Sequence, residues 1–460
     1  MGETTVIFEI SDPLVQKLFD AAQEKCRLNE RVFSGRRVLI EGGGYNKVWI
    51  ETQPMGGAMY AKRDLEIAWN NQKIFMDHQR EDGRLPGSIE LQVGRVIPQY
   101  DKFQGFYFAE PALDVWYLTG KSRDYLVQLY EVLGKYDEYL WKVRDSDNDG
   151  CLESWCRYDT GEDNAVRYGD APNYWESDEA PTGCSVVPMA SMDFMGYSYS
   201  AKSVMAQIAG LLGRKEAAER HLEEAGRLKA QTKAYLWDDK RGAFFDRDRY
   251  GQRMPVLIHN NLRMMYWGNM ENTCAERFVR EHLLNEREFW TPMPLPSVAA
   301  DDPMFRNDAV NSWSGQPQAL TYQRAIRALE NYGYTELLPV LGRKLFEAIG
   351  EDCIFVQQYD PVTMKPSPYG VTGQQDAYGP AMLAVLEYIS RMYGVDRVRD
   401  RLVWSGAVKE DGFYEQRICG EAYRIEHSGG KAAGFVGGRE VFCTKKEGRI
   451  VTDLSGKEIC

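Results

Sequence analysis

Residues 204–228 have the sequence VMAQIAGLLGRKEAAERHLEEAGRL, which predicts two helices joined by a short turn. Apolar side chains at Val204, Ile208 and Leu211 recur at the spacing of one helix face. Gly213 then ends the first helix, because glycine tolerates the left-handed backbone found after many helix ends. The charged run that follows begins the second helix, so the stretch predicts a helical hairpin.

The same arrangement recurs along the middle of the chain, where a glycine follows each of three further helical segments. These glycines are Gly120, Gly333 and Gly394. No alternation of strands and helices interrupts the pattern, and the glycine run at residues 42–44 lies between short β-like segments, where a phosphate-binding loop is not expected. Helical hairpins over about 350 residues predict a mainly α fold, a toroid of paired helices with its active site at a mouth lined by loops.

The two ends of the chain differ from this helical middle. From Trp404 onward, apolar and polar residues alternate between glycines, which predicts a small antiparallel β appendage over residues 404–460. The first 50 residues contain a short strand, a helix near Asp12–Asn29 and a hairpin. We expect residues 1–50 to form a cap on the toroid, and the helical barrel to span residues 51–403.

The composition is that of a globular protein with a large core. The chain has 460 residues, 43% hydrophobic and 12% aromatic, and a formal net charge of −12 with a pI near 5.2. This acidity argues against nucleic acid and anionic membranes as partners. The nine cysteines are scattered without a CxxC pair, and neither a bilayer-length apolar run nor a signal sequence is evident. We therefore expect a reduced, cytoplasmic protein.

A candidate for chemistry is the segment ESWCRYDTGEDNAVRY, residues 153–168. It places Asp163 beside Asn164, with Arg167 a few residues further on. A partly desolvated carboxyl among aromatic and amide side chains can hold a proton near neutral pH and give it to the departing oxygen of a glycoside. Asp163 could equally cap the turn or pair with Arg167, in which case it would have no chemical role.

The order of motifs along the chain resembles the (α/α)6-barrel glycoside hydrolases, a group that includes trehalases, processing α-glucosidase I and mannosylglycerate hydrolases. Five matching segments span most of residues 51–403. They are EDGRLPG (81–87), the Asp-rich turn with TGEDNAVRY (145–168), LWDDKRGAFFDRD (236–248), NSWSGQP (311–317), and QQYDPVTMKPSPYG with QDAYGPAML (357–383). The resemblance implies a mainly α (α/α)6 toroid and an inverting glycosidase for a small oligosaccharide or glycoside, with no cofactor required.

The resemblance also implies the roles of two residues. The general acid of the family falls on Asp163, and the glutamate that activates the attacking water falls on Gln357, whose amide cannot usefully accept a proton. Three explanations stay open: the base lies elsewhere, the chain is a trapped Glu-to-Gln form, or the protein binds sugar without cleaving it. Asp376 is our first candidate for a base elsewhere. The other candidates are Asp302, Glu51 and Asp64.

Further side chains are expected to bind the sugar because they stand in or near the matching loops. Aromatic rings stack on sugar faces, and a few placed polar groups fix orientation. The candidates are Asn164, Arg167, Trp290, Trp313, Gln316, Tyr359, Tyr378 and Arg63. The aromatic residues could instead be ordinary core, and the arginines could be ion-pair partners. One departure from the family is Ser314, which stands in place of an arginine and argues against a glucose-specific pocket.

The turn DSDNDG at residues 145–150 predicts a calcium site. Its first, third and fifth places carry carboxylates, and a glycine stands in the sixth, as in a calcium loop. These ligands are Asp145, Asp147 and Asp149. The twelfth place is Cys156 rather than the closing glutamate, although Glu153 could close an irregular site. The alternative is an acidic loop that satisfies its own backbone. The five scattered histidines predict no transition-metal site.

Three other functions are compatible with the sequence. A phosphorylase would need no base, because phosphate replaces water, and Lys62 with Arg63, or Arg167, could hold the anion. A sugar epimerase or isomerase would need a base near the anomeric carbon, often a histidine pair, and only His259 stands in a loop motif. A non-catalytic carbohydrate-binding protein is favoured only by Gln357. The sugar, the linkage and the oligomeric state are not predicted.

Overall fold

The computed structural model describes residues 3–368 and 375–459, so residues 369–374 of the last matching segment lie outside the described part. Within these ranges the chain forms twelve α-helices, and the predicted mainly α class is confirmed. The helices are α1 Pro13–Cys26, α2 Gln53–Tyr60, α3 Leu65–Met76, α4 Ala109–Leu118, α5 Arg123–Val143, α6 Met192–Leu211, α7 Lys215–Leu236, α8 Asn260–Trp267, α9 Asn272–Phe278, α10 Ala319–Asn331, α11 Leu337–Ile349 and α12 Gly379–Tyr393. In the same two ranges we find no helix whose length and apolar character would suit a membrane span.

Six of these helices pack side by side in a closed cycle. α2 contacts α4, α4 contacts α6, and the series continues through α8, α10 and α12 back to α2. The odd-numbered helices α1, α3, α5, α7 and α11 each pack against members of this cycle. The chain thus alternates between the cycle and a second layer of helices, which is the arrangement that consecutive helical hairpins predict.

The hairpin predicted from residues 204–228 is formed by α6 and α7. Gly213 between the two helices has a φ of +75°, and Val204 and Ile208 on α6 are fully buried. Gly394 ends α12 for a different reason, because its φ of −118° is open to any residue. A Cβ at that position would stand 2.7 Å from the carbonyl oxygen of Ser390, so the requirement there is for space.

The described residues also form seventeen short strands. They are β1 Thr5–Ile10, β2 Glu30–Phe33, β3 Arg36–Leu39, β4 Val48–Trp49, β5 Ser88–Gln92, β6 Arg95–Gln99, β7 Glu153–Ser154, β8 Met189–Ala190, β9 Trp237–Asp238, β10 Ala243–Phe244, β11 Val395–Val398, β12 Arg401–Ser405, β13 Gly412–Ile418, β14 Glu421–Ser428, β15 Lys431–Val436, β16 Arg439–Thr444 and β17 Arg449–Asp453. Antiparallel pairing joins them into one five-stranded sheet of order β1-β13-β14-β15-β16, two three-stranded sheets of order β11-β12-β17 and β4-β5-β6, and three two-stranded ribbons.

The first strand reaches across to the other end of the sequence. β1 pairs antiparallel with β13, with Val6 opposite Gln416. Val6 and Phe8 point into the core, and the ring of Phe8 lies 4.8 Å from that of Phe19 on α1. The segment predicted as an N-terminal cap therefore shares a sheet with the predicted C-terminal appendage. The division of the chain into cap, barrel and appendage stays a prediction.

The β2–β3 hairpin leads directly towards the start of α12. The N–H of Gly379 donates to the carbonyl oxygen of Glu41 at 2.7 Å, and Gly42 and Tyr45 exchange two backbone hydrogen bonds of 3.0 Å. The helix predicted near Asp12–Asn29 is α1 followed by a 3-10 turn. The N-terminal segment thus supplies side chains to the region described next.

Candidate active site

The loop that carries Asp163 lies between β7 and β8 and is held from outside. The N–H of Trp313 donates to the carbonyl oxygen of Asp163 at 3.0 Å, and the N–H of Val166 donates to Ser314 Oγ at 2.9 Å. Asn164 has a φ of +57°, a left-handed backbone that few residues other than glycine adopt. Asparagine is one of the few such residues that adopt it readily, so this position forms a turn in the loop.

The carboxyl of Asp163 has amide partners instead of charged ones. Asn311 Nδ2 donates to its Oδ2 at 3.0 Å, and Gln104 Nε2 donates to its Oδ1 at 3.4 Å. No Lys or Arg within residues 3–368 and 375–459 approaches it to ion-pair distance. Burial raises the pKa of Asp163, and the two amides and the more distant Lys102 only partly oppose this effect. This carboxyl can therefore hold a proton above the usual range of an aspartate.

Gln104 connects Asp163 to a second carboxyl. The same Nε2 atom donates to Glu51 Oε1 at 2.8 Å, and Arg324 Nη2 binds Glu51 Oε2 at 3.0 Å. Burial raises the pKa of Glu51 to about 7, with Arg324 opposing and Asp163 adding to the shift. Gly161 packs onto the same carboxylate, since a Cβ there would stand 2.3 Å from Glu51 Oε2. Glu51 is thus buried with both oxygens engaged.

A third carboxyl, that of Glu41, completes the group. Tyr378 donates its hydroxyl to Glu41 Oε1 at 3.0 Å. Burial and then the neighbouring Glu51 carboxylate raise the pKa of Glu41 well above its ordinary value. We call Glu41, Glu51 and Asp163 the carboxyl cluster. Within the described residues, Arg324 is the single cation at ion-pair distance from any of its members, so the three groups cannot all be ionised without a large cost.

Gln357 lies across from Asp163 in a ring of hydrogen bonds. Tyr45 donates its hydroxyl to Gln357 Oε1 at 3.0 Å, and Gln357 Nε2 donates to Asn311 Oδ1 at 3.0 Å. Asn311 Nδ2 closes the ring on the Tyr45 oxygen at 3.1 Å and also reaches Asp163. The side chain of Asn311 bridges Asp163 and Gln357. The two side chains therefore stand no farther apart than the two carboxyls of an inverting glycosidase, which are roughly 6.5–9.5 Å apart.

Most of these side chains stand in segments that precede helices of the closed cycle, whereas Arg324 lies within α10. Glu51 precedes α2, Gln104 precedes α4, Asp163 precedes α6, Asn311 precedes α10, and Gln357 precedes α12. The hydrogen bonds among them show that these segments meet at one end of the cycle. Loops on a rigid helical scaffold are where binding and catalytic residues concentrate.

Comparison with known proteins shows the family to which the chain belongs. Residues 55–375 match the family described as the mannosylglycerate hydrolase MGH1-like glycoside hydrolase domain. The chain belongs to this family. The matched range contains Asp163, Asn311 and Gln357, whereas Glu41 and Glu51 come before it in the chain.

Solved structures of glycoside hydrolases share the fold. A mannosylglycerate hydrolase from Thermus thermophilus has a TM-score of 0.64 and 18% sequence identity, and the match covers 80% of this chain and 100% of that one. A neutral trehalase from Saccharomyces cerevisiae has a TM-score of 0.55 and 15% identity, with 80% of each chain covered. A sialidase has a TM-score of 0.73 and 16% identity, and the match covers 97% of this chain but 41% of the sialidase. The family match and the shared fold confirm the resemblance predicted from the five motifs.

Arg167 lies behind the Asp163 loop of this glycoside hydrolase domain. Its guanidinium is almost fully buried and pairs with Glu162 and Asp246. Burial alone would raise the pKa of Glu162, but the charges of Arg167 and Arg263 hold it well below its ordinary value. Arg167 therefore belongs to a buried ion network, and no described contact joins it to Asp163.

Asp376, our first candidate for the base, is engaged away from the carboxyl cluster. Its Oδ2 binds Lys25 Nζ on α1 at 2.5 Å. Its Oδ1 accepts the backbone N–H groups of Phe355 at 2.9 Å and of Ala377 at 2.7 Å. The structure thus places Asp376 in the contact between α1 and the loop before α12, where it fixes that loop.

Two further base candidates also have other partners. Asp302 accepts the N–H of Leu257 at 2.9 Å, and Asp64 caps the start of α3 and binds Arg37 at 2.9 Å. Neither is joined to Asp163 by a described contact. Of the four candidates named from the sequence, the structure brings only Glu51 into the cluster.

Three of the predicted sugar-binding residues border the cluster. Asn164 donates its amide to the carbonyl oxygen of Asn311 at 2.8 Å, and Tyr378 binds Glu41 as described. The ring of Trp313 lies 5.8 Å from the Arg324 guanidinium. These positions are compatible with sugar contacts, which stay a prediction.

The other predicted sugar-binding residues have no described contact with the cluster. Gln316 is buried and donates to Asn307 at 2.9 Å, and Tyr359 is buried with its N–H on the carbonyl oxygen of Pro317 at 3.1 Å. Trp290 is half-buried after the π-helical turn of residues 279–283. Arg63 follows α2 and lies beside Cys26 and Tyr414, towards the β sheets. No described contact joins these four to the carboxyl cluster.

Sequence reasoning missed several residues of the site, namely Glu41, Tyr45, Trp49, Gln104, Asn311 and Arg324. Glu41 and Tyr45 flank the glycine run, which signalled a close backbone approach that we did not use. Trp49 lies beside Tyr45, with ring centroids 6.5 Å apart, and Lys102 Nζ stands 5.3 Å from the Trp49 ring. An aromatic ring at the edge of such a site suits a sugar face. Nothing in the sequence singled out Gln104, because a lone glutamine has no characteristic spacing.

The predicted calcium ligands do come together. The carboxylate oxygens of Asp145, Asp147 and Asp149 lie within 4.8 Å of one another. They also accept backbone N–H groups, from Gly150 to Asp145 at 3.2 Å and from Cys151 to Asp149 at 2.8 Å. These bonds are the ones expected of an acidic loop that satisfies its own backbone, and calcium binding stays a prediction.

Two surface cavities lie away from the carboxyl cluster. One of about 390 Å³ is lined by residues that include Trp237, Phe245 and Arg253. One of about 250 Å³ lies beside Asp147 and Asp149. Neither is lined by a member of the carboxyl cluster.

Proposed function

We propose that this member of the family is a glycosidase whose active site is the carboxyl cluster with Asp163 as general acid. The observation that supports this most directly is the environment of Asp163, half-buried and bound by two amides without an ion-pair partner among the described residues. Burial raises its pKa, so it keeps a proton to higher pH than an exposed aspartate. A general acid in glycoside cleavage needs this property.

We further propose that the closed cycle of six helices is the inner ring of an (α/α)6 toroid and that the cluster lies at its mouth. The alternation of cycle and second-layer helices supports this arrangement. So do the positions of five site residues that each precede a cycle helix, namely Glu51, Gln104, Asp163, Asn311 and Gln357. A mouth formed by such loops would admit a small oligosaccharide or glycoside and exclude bulk water once the substrate is bound.

In the proposed reaction Asp163 gives its proton to the glycosidic oxygen as the bond from the anomeric carbon to that oxygen breaks. A second carboxylate takes a proton from the water that forms the new bond to the anomeric carbon. Because the water attacks from the face opposite the leaving group, the anomeric configuration is inverted. Gln357 stands at the position where the family has this second carboxylate. In this chain, a member of the carboxyl cluster other than Asp163 must therefore supply it.

The hydrogen bonds around Gln357 suit an amide better than a carboxylate. Asn311 turns its Nδ2 to the Asp163 carboxyl, which leaves its Oδ1 facing position 357. Only a donor can complete that contact, and Gln357 Nε2 does so, while its Oε1 accepts from Tyr45. This complementarity favours a site built with glutamine over one that has lost a glutamate. It therefore favours a base elsewhere over a trapped form.

The proposed substrate follows from a structural neighbour and from the side chains near Asp163. The Thermus thermophilus protein is named a mannosylglycerate hydrolase, and its structures include complexes with glucose and with Tris and D-glycerate. At 18% identity this name transfers only as a first compound to test. Lys102 Nζ stands 5.3 Å from the Trp49 ring and 4.7 Å from the Tyr174 ring, which places a cation and two aromatic faces on the Asp163 side of the site. We therefore propose a small, polar glycoside.

The rival functions find less support in the contacts. The cations predicted to hold phosphate are engaged elsewhere, Lys62 with Glu387 at 2.8 Å and Arg167 with Glu162. His259 is buried behind Trp313, and burial lowers its pKa to about 4. A group placed there has no described contact with Asp163. Phosphorolysis and isomerisation thus become outcomes of the test.

The test is a panel of glycosides that includes mannosylglycerate, assayed with and without phosphate. We expect hydrolysis by the native chain, and Asp163→Asn should lower kcat/KM about 10²–10⁴-fold for alkyl glycosides. The loss should be much smaller for aryl glycosides whose leaving group departs without a proton. Asp170→Asn, which changes an exposed carboxyl further along the same loop, is the matched control and should leave the rate unchanged.

Three results would overturn the assignment. Full activity of Asp163→Asn on alkyl glycosides would remove Asp163 from the chemistry. Turnover that appears only with phosphate and yields a sugar phosphate would identify a phosphorylase. A single sugar product of unchanged mass would identify an isomerase.

A further inference from the structure

The glycine run at residues 42–44 forms a turn that lies directly against the loop before α12. All three glycines adopt a left-handed backbone, with φ of +78°, +62° and +97°. A Cβ on Gly42 would stand 2.3 Å from the carbonyl oxygen of Ala377, and one on Gly43 would stand 2.9 Å from Tyr378 Cβ. The turn can approach this closely only because it carries no side chains. The residues on either side, Glu41 and Tyr45, are thereby held in the site.

The side chain of Glu41 has one oxygen bound and one oxygen free of described partners. Oε1 accepts the Tyr378 hydroxyl at 3.0 Å, whereas no described residue donates to Oε2. The main chain of Glu41 is fixed on both sides, by its N–H to Lys47 at 3.2 Å and by Gly379 to its carbonyl oxygen at 2.7 Å. A positioned carboxylate with one unoccupied oxygen is the arrangement that a general base requires.

Glu51, the other carboxyl near Asp163, lacks this freedom. Gln104 occupies its Oε1 and Arg324 occupies its Oε2, and Gly161 packs against the same oxygen. Both oxygens of Glu51 are therefore engaged, and neither is left to take a proton from water. Glu51 is suited to holding Gln104 and the substrate in place.

We infer that Glu41 is the catalytic base of this chain and that it takes the role of the glutamate absent at position 357. Tyr45, four residues after Glu41, binds Gln357 directly, so the turn brings Glu41 into the neighbourhood of the family position. The inference rests on the proposed function, since a base is needed only if water is the nucleophile. One of the two reacting carboxyls then comes from the N-terminal segment, which the family match does not include.

Atoms and electrons balance in an inverting hydrolysis by this pair. A lone pair of the water oxygen forms the bond to the anomeric carbon while one of its protons passes to Glu41 Oε2. The bond between the anomeric carbon and the glycosidic oxygen breaks, and that oxygen receives the proton of Asp163. The products are a free sugar of inverted configuration and an alcohol. Glu41 then loses its proton and Asp163 regains one through solvent, so no other reactant is needed.

The two reacting carboxyls must hold one proton between them. The charged and titratable groups that face Glu41 are Glu51, Asp163, Arg324, Tyr45 and Tyr378. Burial and then Glu51 raise the pKa of Glu41, and burial raises that of Asp163, so the pair titrates as a coupled unit with two apparent values. The activity should therefore follow a bell-shaped pH profile, rising as the first proton leaves the pair and falling as the second leaves.

The experiment compares variants on a glycoside that the native chain hydrolyses. Glu41→Gln should lower kcat about 10²–10⁴-fold on every substrate, including aryl glycosides with good leaving groups. This independence of the leaving group separates a base from the acid Asp163. Glu41→Ala leaves room for azide, a nucleophile that needs no base, and should form a glycosyl azide of inverted configuration. Asp20→Asn, an exposed carboxyl on α1, is the control within the same N-terminal segment.

Each outcome decides between named alternatives. Full activity of Glu41→Gln with an unchanged melting temperature would overturn the inference while leaving the glycosidase assignment intact. Loss of activity in Asp376→Asn with azide rescue of its alanine variant would return the role to Asp376. No hydrolysis by the native chain on any glycoside would overturn the proposed function, and the base with it. Azide rescue of Glu41→Ala alone supports Glu41.

Discussion

Glu162 and Asp163 are neighbours in the chain, yet their carboxyls belong to two clusters with different charge balance. Glu162 turns towards Arg167 and Arg263, and these cations hold its pKa well below the ordinary value in spite of burial. Asp163 turns towards the amides of Gln104 and Asn311, and burial raises its pKa. One step along the backbone thus separates a carboxyl that stays ionised from one that can keep a proton.

Burial alone therefore does not decide the role of a carboxyl. Both groups are removed from bulk water, and the difference lies in whether a guanidinium is in contact. The ionised cluster also has a mechanical consequence, because Arg167 joins Glu162 to Asp246 beneath the loop that carries Asp163. We interpret the first cluster as the support of the loop and the second as its chemistry.

The largest effect expected from this difference is on stability. Glu162→Gln leaves Arg167 and Arg263 buried without their shared counter-charge, and breaking a buried pair in this way costs about 3–5 kcal/mol. We expect a correspondingly lower free energy of unfolding in urea titrations. Glu66→Gln is the matched control, because its pair with Arg37 is exposed and worth about 0–1 kcal/mol. Equal stability of the two variants would contradict the structural role of the Glu162 cluster.

A smaller effect concerns the pH dependence of stability. The pKa of Glu51 is raised by burial from 4.5 to about 7, so the folded state binds more protons than the unfolded state between these values. Its contribution to stability is complete below pH 4.5 and is lost as the pH rises through 7, by up to about 3 kcal/mol. Glu51→Gln should remove this decline.

The control for this prediction is the opposite behaviour of Glu162. Its pKa is lowered in the folded state, so its contribution is complete above the ordinary glutamate pKa and is lost only as the pH falls further. The destabilisation by Glu162→Gln should therefore be constant from about pH 5 to about pH 8. Urea unfolding at several pH values measures both. If the free energy of unfolding depends on pH in the same way for the native chain and for Glu51→Gln, the pKa of Glu51 is not raised.

Much of the fold could be predicted from the sequence because it depends on local signals. Helical periodicity and a glycine such as Gly213 fix a hairpin within about 25 residues. The pairing of β1 with β13 could not be predicted in this way, since antiparallel partners about four hundred residues apart leave no local signal. The prediction that Asp376 reaches the site was wrong for a similar reason. Its partner Lys25 lies on α1, at the other end of the chain.

In the candidate site, too, the residues with a local sequence signal could be predicted and those with distant partners could not. Asp163 and Gln357 were found because each stands in a motif of recognisable order. Glu41 was missed because its partner Tyr378 lies 337 residues further along the chain, and only the folded structure brings the two together. Arg167 was predicted to bind the sugar because it stands in the same matching segment as Asp163. The direction of its side chain, towards Glu162, follows from packing that spacing does not specify.

The smallest effect, and the one that most directly separates the explanations of position 357, is expected from Gln357→Glu. The new carboxylate would face Asn311 Oδ1, an acceptor, and would add a negative charge one amide away from Asp163. A like charge makes Asp163 harder to ionise, so its pKa should rise further. Because the acid must be protonated to work, the alkaline limb of the pH–rate profile should move up by about one pH unit, without a gain in kcat. Gln375→Glu, which adds the same charge at an exposed position, should move it less. The opposite result would be that Gln357→Glu hydrolyses a glycoside that the native chain leaves intact. Position 357 would then be the position of the base. The hydrogen bonds around Gln357 would in that case belong to a protein that binds sugar without cleaving it.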